Sequence, residues 1–187
     1  MGTYFNMKRV AVFIDGNNFY FGLRKIYGPE KSLKLFNFKA FCDFLSKPDK
    51  ITKIFYYNAG LDLSLNQNKY GSQKEFFESL KIIPNFSLVL CKLLKRSIKG
   101  TDKFYYVLKE DDIHMAVDLV ESAVDDLFDI AIVVSGDGDF VPAVKAVQKR
   151  GKKVVNAYFK NRSSRSLKNY SNSSVELNKS ILDGFFK

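Results

Sequence analysis

The stretch VAVFIDGNNFYFGL, residues Val10 to Leu23, joins an apolar run to an aspartate, a glycine and two asparagines. Residues Ile130 to Phe140, IAIVVSGDGDF, repeat the arrangement, because a β-branched apolar run is again followed by aspartates. Near-continuous apolar runs of this length suit strands that are covered on both faces. If the two strands are neighbours in a parallel sheet, their polar ends meet at one edge, where α/β proteins bind ligands.

Strand-length apolar runs alternate with longer segments of helical period along the chain. The predicted strands cover residues 10–14, 51–57, 86–91, 130–134 and 154–159. The predicted helices cover residues 19–26, 38–45, 69–82, 113–127 and 140–150. This alternation predicts an α/β fold, a three-layer α/β/α sandwich with a mostly parallel, Rossmann-like central sheet. Residues 93–108 fit either a hairpin or a loop.

Length and composition indicate one domain, residues 1–187, with a core over about residues 8–160 and a closing segment over residues 161–187. No apolar run approaches the roughly 18 residues of a membrane span, and residues 1–9 do not resemble a signal peptide. The two cysteines, Cys42 and Cys91, lie in apolar sequence and are interpreted as reduced core thiols. We therefore expect a soluble, cytoplasmic protein without a membrane contact.

Basic residues are concentrated towards the end of the chain. Residues 140–187 contain 11 basic and 2 acidic residues, whereas residues 1–139 contain 19 and 18. This asymmetry is typical of a surface that attracts polyanions, although solvated helix faces and a basic tail would give the same counts. The residues expected to hold nucleic-acid phosphates, if they flank the crevice, are Lys145, Lys149, Arg150, Lys152, Lys153, Arg162, Arg165 and Lys168.

A second basic stretch, residues 92–106, interleaves lysines and an arginine with aromatic residues. The aromatic side chains could stack on unpaired bases and form another binding wall. The alternative is a strand whose aromatic residues pack on the core.

Three aspartates follow the two quoted apolar runs. Asp15 ends the first, while Asp137 and Asp139 follow the second. At one sheet edge these carboxylates would repel and raise each other's pKa unless a cation lay between them. Oxygen ligands of this kind favour Mg²⁺ or Mn²⁺. Structural roles stay open as alternatives: Asp15 as a turn former, Asn18 as a cap of the first helix, and Asp139 as the N-cap of the helix that follows.

Asp118 lies close to an apolar stripe on the helix predicted over residues 113–127. The stripe consists of Ile113, Val117, Val120, Val124 and Leu127. We interpret it as the face of the helix that is buried. An acid beside a buried face needs a partner, and residues 110–139 contain ten acids but no Lys or Arg. A metal-binding crevice would supply that partner, and a half-exposed helical acid is the alternative.

Three motifs stand in one order along residues 8–177. They are VFIDGNN after the first strand, a helix entry formed by Lys109, Asp112, Ala116, Asp118 and Leu119, and VSGDGDFVP with a later RGKKV. Together they resemble the NYN domain family of the PIN-like nuclease superfamily, and most of all its LabA-like branch. The resemblance implies a PIN-like fold, a divalent-metal site and ribonuclease action on RNA, which we expect to be single-stranded.

The family's functional residues are carried over position by position. The residues that the resemblance implies as catalytic are Asp15, Asn18, Asp118 and Asp137. Those that it implies as metal ligands are Asp15, Asp112, Asp118, Asp137 and Asp139. Mg²⁺ or Mn²⁺ held there would activate a water molecule and polarise the scissile phosphate, and one or two ions are both open.

The chain departs from the family at Glu110 and Asp111, where the family shows Gly-Val, so either Asp111 or Asp112 faces the metal. The lone histidine, His114, fits a mechanism without histidine.

A dehalogenase-like phosphatase would need a second acid where the chain has Asn17, and no G-x-G-x-x-G or P-loop is present. The second hypothesis is a PIN-like module that binds RNA or a protein with little turnover; the sequence leaves a homodimer open.

Overall fold

The computed structural model describes residues 7–60, 67–101 and 104–186. The strands are β1 (Arg9–Asp15), β2 (Lys50–Ala59), β3 (Phe86–Ser97), β4 (Phe104–Lys109), β5 (Ile130–Val134), β6 (Lys153–Tyr158) and β7 (Ser173–Glu176). The helices are α1 (Gly16–Tyr27), α2 (Phe38–Ser46), α3 (Gln67–Lys81), α4 (Asp111–Val124), α5 (Val141–Gln148), α6 (Arg165–Tyr170) and α7 (Lys179–Leu182). Each predicted strand and helix is therefore present, with ends that differ by a few residues.

The strands form one sheet in the order β4-β3-β2-β1-β5-β6-β7. Neighbours are parallel except β3 and β4, which are antiparallel. β1 lies in the centre and pairs directly with β5, from Val10 opposite Ile130 to Ile14 opposite Val134. The predicted α/β/α sandwich is confirmed, and the two quoted apolar runs are neighbouring strands.

Each face of the sheet carries its own hydrophobic core, because successive side chains of a strand point to opposite faces. Val10, Val12 and Ile14 pack against apolar residues of α1, α2, α3 and α7. Ala11 and Phe13 pack against apolar residues of α4, α5 and α6. β1 is buried on both sides, which explains its uninterrupted apolar sequence.

The prediction of the buried face of α4 was wrong. Ile113 is 68% exposed, Val117 46% and Val124 58%, so most of the predicted stripe faces away from the core. The buried face instead carries Met115, Leu119, Ser122 and Ala123. Both stripes have helical spacing, so periodicity alone could not distinguish them. Contacts with the sheet and with α5 decide which stripe is buried.

Residues 93–108 contain a hairpin, one of the two predicted alternatives. The first half of β3 pairs with β2, and its second half continues past the end of β2 and pairs with β4. Residues 102 and 103 of the second basic stretch lie outside the described residues. The hairpin therefore projects beyond the edge of the sheet at which β1 ends.

The segment after β6 closes the far side of the sheet. It contains α6, then β7, which lies parallel to β6 at the end of the sheet, and α7. Within the described ranges, we find no helix that combines the length and the apolar character needed to cross a membrane.

Candidate active site

The polar ends of β1 and β5 meet at the carboxyl edge of the sheet. Asp15 is buried, and its Oδ1 accepts a hydrogen bond from the backbone N–H of Asn18 at 2.8 Å. The hydroxyl of Ser135 donates to Asp15 Oδ2 at 2.9 Å and itself accepts from the backbone N–H of Asp137 at 3.1 Å. Ser135 thus joins the two acidic strand ends through one hydroxyl group.

Asp15 also begins α1, since its side chain caps that helix. The capping role considered for Asn18 therefore belongs to Asp15, and this role leaves Asp15 among other acids. Burial raises the pKa of Asp15 from 3.8 to about 6, against the two hydrogen bonds, which lower it. The negative charges of Asp111 and Asp137 contribute to that rise.

The start of α4 brings two more acids to this edge. Burial raises the pKa of Asp111, and the nearby charge of Asp137 adds to that effect. Asp112 is exposed as a whole residue, yet partial burial of its carboxyl group raises its pKa to about 7. The charges of Asp111, Asp15, Asp137 and Asp139 contribute to that rise. Both Asp111 and Asp112 therefore belong to the acidic cluster around Asp15.

Asp118 lies further along α4 and has a partner that the sequence did not reveal. The hydroxyl of Tyr57, on β2, donates to Asp118 Oδ2 at 2.8 Å. Tyr57 is opposite Asp15 in the sheet register, so Asp118 borders the cluster from the β2 side. Negative charges of Asp111, Glu110 and Asp118 also add to burial in raising the pKa of Cys91 to about 11.

The loop after β5 holds Asp137 and Asp139 in different ways. Asp137 caps a short 3₁₀ turn over Gly138–Phe140, because its Oδ1 accepts from the N–H of Asp139 at 2.9 Å. The N-cap of α5 is Phe140, without a side-chain hydrogen bond, so the capping role considered for Asp139 is not observed. Asp139 is exposed.

Asn18 adds an amide oxygen beside Asp15. The residue is buried, and in the described part of the chain its Oδ1 has no hydrogen-bond partner. A buried oxygen without a partner is costly, so a donor or a cation at this position would stabilise it. Asn18 and Asp137 line the same small pocket, of about 350 Å³.

Gly136 allows the segment after β6 to approach this pocket. A Cβ atom at residue 136 would lie 1.2 Å from the carbonyl oxygen of Arg162, so only glycine fits. The N–H of Ser164 donates to the Gly136 carbonyl at 2.8 Å. This contact places Arg162 at the rim of the pocket.

The basic residues expected to bind nucleic acid divide into two groups. Arg162 and Arg165 are exposed and lie on the segment that packs on the loop of residues 135–138 after β5. Further along this side, Lys145 lies over the ring of Tyr170 and Lys168 over the ring of Tyr158.

The other group lies at the opposite, amino edge of the sheet, around the start of β6. Its members are Lys149, Arg150, Lys152 and Lys153. Lys153 is opposite Ile130 at the start of β5, and Lys152 forms an ion pair with Asp126. Arg9 pairs with Asp126 and Asp129 at the same edge. These four residues therefore do not flank the acidic crevice.

The acidic cluster suits a divalent cation in its chemistry. Within residues 7–60, 67–101 and 104–186, none of its carboxylates has a lysine or arginine nitrogen within 4.0 Å. The available ligands are carboxylate oxygens and the Asn18 amide oxygen, which Mg²⁺ and Mn²⁺ prefer. Over the same ranges, however, no three Asp, Glu, His or Cys side chains are arranged to hold a metal ion. The types of oxygen ligand fit Mg²⁺ or Mn²⁺, but the side chains are not arranged in advance around an ion.

Sequence reasoning missed three residues that organise the site. Ser135 connects Asp15 with Asp137, and Tyr57 holds Asp118. Buried Asn156, on β6, donates its amide N–H groups to the carbonyls of Val133 and Ser135. A serine directly before Gly-Asp was a visible signal, whereas Tyr57 and Asn156 resemble ordinary strand residues.

The chain is similar to known proteins in its sequence and in its fold. The NYN domain family model matches residues 9–178. No curated protein matched the chain. The chain is similar to the crystal structure of VPA0982, a protein of unknown function from Vibrio parahaemolyticus RIMD 2210633, with 22% identity and a TM-score of 0.70. That similarity covers 96% of this chain and 98% of VPA0982, and it concerns the fold alone.

Proposed function

The chain belongs to the NYN domain family, whose members are generally PIN-like nucleases, and on that premise we propose that it is a divalent-metal-dependent ribonuclease. The proposed substrate is single-stranded RNA, cleaved at the carboxyl edge of the sheet. The observation that carries the proposal is the group of acids around buried Asp15, without a basic partner among the described residues. A protein that only binds a polyanion would gain by losing these charges.

The proposed cation site uses Asp15, Asn18, Asp112, Asp118, Asp137 and Asp139. We add Asp111 to the proposal because its charge acts on Asp15. A Mg²⁺ or Mn²⁺ ion there would lower the pKa of a bound water molecule and polarise the scissile phosphate. The protein's own contribution is orientation: the Asn18 N–H and the Ser135 hydroxyl fix both oxygens of the Asp15 carboxylate. Oriented carboxylates reduce the reorganisation needed in the transition state.

Phosphate binding is assigned to the basic residues nearest the site. Arg162 and Arg165 would hold the strand through sequence-independent contacts, with Lys145 and Lys168 further out. Lys149 and Lys153 lie at the other edge of the sheet. We expect Lys149→Gln with Lys153→Gln to leave cleavage unchanged, whereas Arg162→Gln with Arg165→Gln should weaken RNA binding and flatten its dependence on salt. The opposite pattern would place the RNA at the amino edge.

The deciding experiment follows cleavage of end-labelled single-stranded RNA with Mg²⁺, with Mn²⁺ and with EDTA. We expect wild-type cleavage that EDTA stops and either ion restores, with loss of activity in Asp15→Asn. Asp125→Asn is the matched control, since Asp125 is an exposed acid at the far end of α4. Equal cleavage by wild type and Asp15→Asn, or none by wild type at any metal concentration, would refute the ribonuclease proposal.

One observation favours the second hypothesis, a PIN-like module that binds RNA or a protein with little turnover. As described, the acids do not form a ready set of three metal ligands. Calorimetric titration of Mn²⁺ into wild type and Asp15→Asn separates the two hypotheses. Binding that depends on Asp15 supports the nuclease, and the absence of binding supports the module. Membership of the LabA-like branch, a cytoplasmic location and a homodimer stay predictions from the sequence.

A further inference from the structure

A second, larger pocket lies on the other side of the turn between β1 and α1. It has a volume of about 540 Å³ and lies between α1, residues 29–34 and α3. We call it the α1–α3 pocket. Gly16 and Asn17 line it, whereas the next residue, Asn18, lines the smaller pocket beside Asp137. The two pockets therefore adjoin at the residues that follow Asp15.

The α1–α3 pocket differs in chemistry from the acidic cluster next to it. Its apolar part is formed by the buried rings of Phe76 and Phe77 with Leu33. Its polar part includes Asn17 and Asn58. The Asn58 amide already accepts from the N–H of Ala59 and donates to the Tyr56 hydroxyl, so the Asn17 amide, which can both donate and accept, is the group offered to a ligand. An apolar surface with amide groups at its edge suits a flat heteroaromatic ring, such as an unpaired nucleobase.

Positive charge surrounds this pocket. Arg24, Lys31 and Lys34 line it, and its lining contains no acidic residue in the part of the chain that the structure describes. Lys34 is paired with Glu75 at 2.5 Å, while Arg24 and Lys31 have no ion-pair partner in the same part of the chain. Arg24 lies over the Tyr20 ring, and the Lys31 ammonium lies 4.7 Å from the centre of the Phe186 ring, so both cations can contact the phosphates of a nucleic-acid strand from the edge of the pocket.

Two exposed aromatic residues on α1 connect the pockets. Tyr20 is 39% exposed and lines the α1–α3 pocket, and Phe21 is 48% exposed with its ring 5.2 Å from that of Tyr20. The guanidinium of Arg24 lies 5.9 Å from the Tyr20 ring centre, and that of Arg162 lies 5.5 Å from the Phe21 ring centre. Because Arg162 lines the smaller pocket, these aromatic rings and arginines span both pockets.

We propose that α1 is a binding platform for unpaired nucleotides. One base occupies the α1–α3 pocket beside Tyr20, and a neighbouring base stacks on Phe21. Tyr20 lies about 7–8 Å along α1 from Asp15, at 1.5 Å per residue. The platform therefore lies next to the acidic cluster. This inference rests on the proposed function for the identity of the strand as RNA, and it names the residues that select single-stranded over double-stranded substrate.

The test measures binding in EDTA, where the proposed cleavage cannot occur. A fluorescein-labelled twelve-nucleotide oligouridylate is titrated with wild type and with the double variant Tyr20→Ala/Phe21→Ala, and anisotropy is recorded. The double variant loses the stacking of two bases, so the affinity should fall by roughly 30-fold or more. Phe44→Ala is the matched control, since Phe44 is a 43% exposed aromatic residue on α2 outside both pockets.

Two more measurements make the result specific. Arg24→Gln should lower the affinity and reduce the slope of log affinity against log salt by about one. An oligonucleotide with 2-aminopurine should lose fluorescence on binding wild type but not on binding the double variant, because a stacked base is quenched. A duplex of the same length should bind more weakly than the single strand.

The platform is overturned if the double variant binds within twofold of wild type, if Phe44→Ala loses as much affinity, or if the duplex binds as tightly. It is also overturned if wild type binds no oligonucleotide. Failure of the ribonuclease proposal looks different, because binding would then depend on Tyr20 and Phe21 while no RNA is cleaved with any metal ion. Cleavage that is normal in the double variant would overturn the platform alone.

Discussion

Replacing Asp15 by asparagine should stabilise the metal-free protein at neutral pH while it removes the proposed activity. Burial raises the Asp15 pKa from 3.8 to about 6, so the charged form destabilises the fold. At about 1.4 kcal/mol per pKa unit, the cost of that charge is about 3 kcal/mol at pH 7. Asparagine keeps the acceptor for the Asn18 N–H but weakens the contact with Ser135, which costs about 1 kcal/mol. The expected net gain is about 2 kcal/mol.

The pH dependence gives the prediction its sign. The folded-state pKa of Asp15 is higher than its unfolded value, so protonation of Asp15 favours the folded state. This stabilisation is fully present below pH 3.8 and is lost as the pH rises through about 6. Stability of the wild type should therefore fall relative to Asp15→Asn between pH 4 and pH 7, and the advantage of the variant should be absent at pH 4.

Thermal unfolding in EDTA, followed by circular dichroism at pH 4 and pH 7.5, measures the effect. For a chain of this length, about 2 kcal/mol raises the midpoint by roughly 4–8 °C. Asp125→Asn should unfold at the wild-type temperature at both pH values, because Asp125 is exposed. Mn²⁺ should then stabilise wild type more than Asp15→Asn. If Asp15→Asn unfolds at or below the wild-type midpoint at pH 7.5, the reasoning about a buried, unbalanced charge is refuted.

Gly136→Ala should destabilise the fold by about 2–4 kcal/mol in urea unfolding, because the new Cβ would meet the Arg162 carbonyl. Gly71→Ala, in α3 with no atom within 4 Å of the new Cβ, should instead stabilise by up to about 1 kcal/mol, and similar losses in both variants would contradict the close approach. Tyr57→Phe should cost about 1–2 kcal/mol in the same assay, because Asp118 loses its hydroxyl donor. Unchanged stability of Tyr57→Phe would mean that water replaces that donor without cost.

Much of the fold follows from local sequence. The apolar runs of β1 and β5 are buried only if both faces of the sheet are covered, so they already predict helices on either side of the sheet. β1 ends at Asp15 and α1 begins at Gly16, because the Asp15 carboxylate caps α1. The convergence of Asp15 with Asp137 could be anticipated for the same reason, because parallel neighbours end at one edge.

The sequence by itself determined the layered α/β architecture, the position of acidic residues at the ends of strands, and the presence of a basic segment. Only the tertiary structure decided which stripe of α4 is buried, because the buried Met115, Leu119 and Ser122 and the exposed Ile113, Val117 and Val124 both follow a helical spacing. The tertiary structure also decided where the basic residues lie. Because α5 runs from the carboxyl edge of the sheet back to the amino edge, the basic residues within 149–153 lie far from Asp15. Periodicity and charge are local properties, whereas the face and the edge that a residue occupies depend on contacts between distant segments.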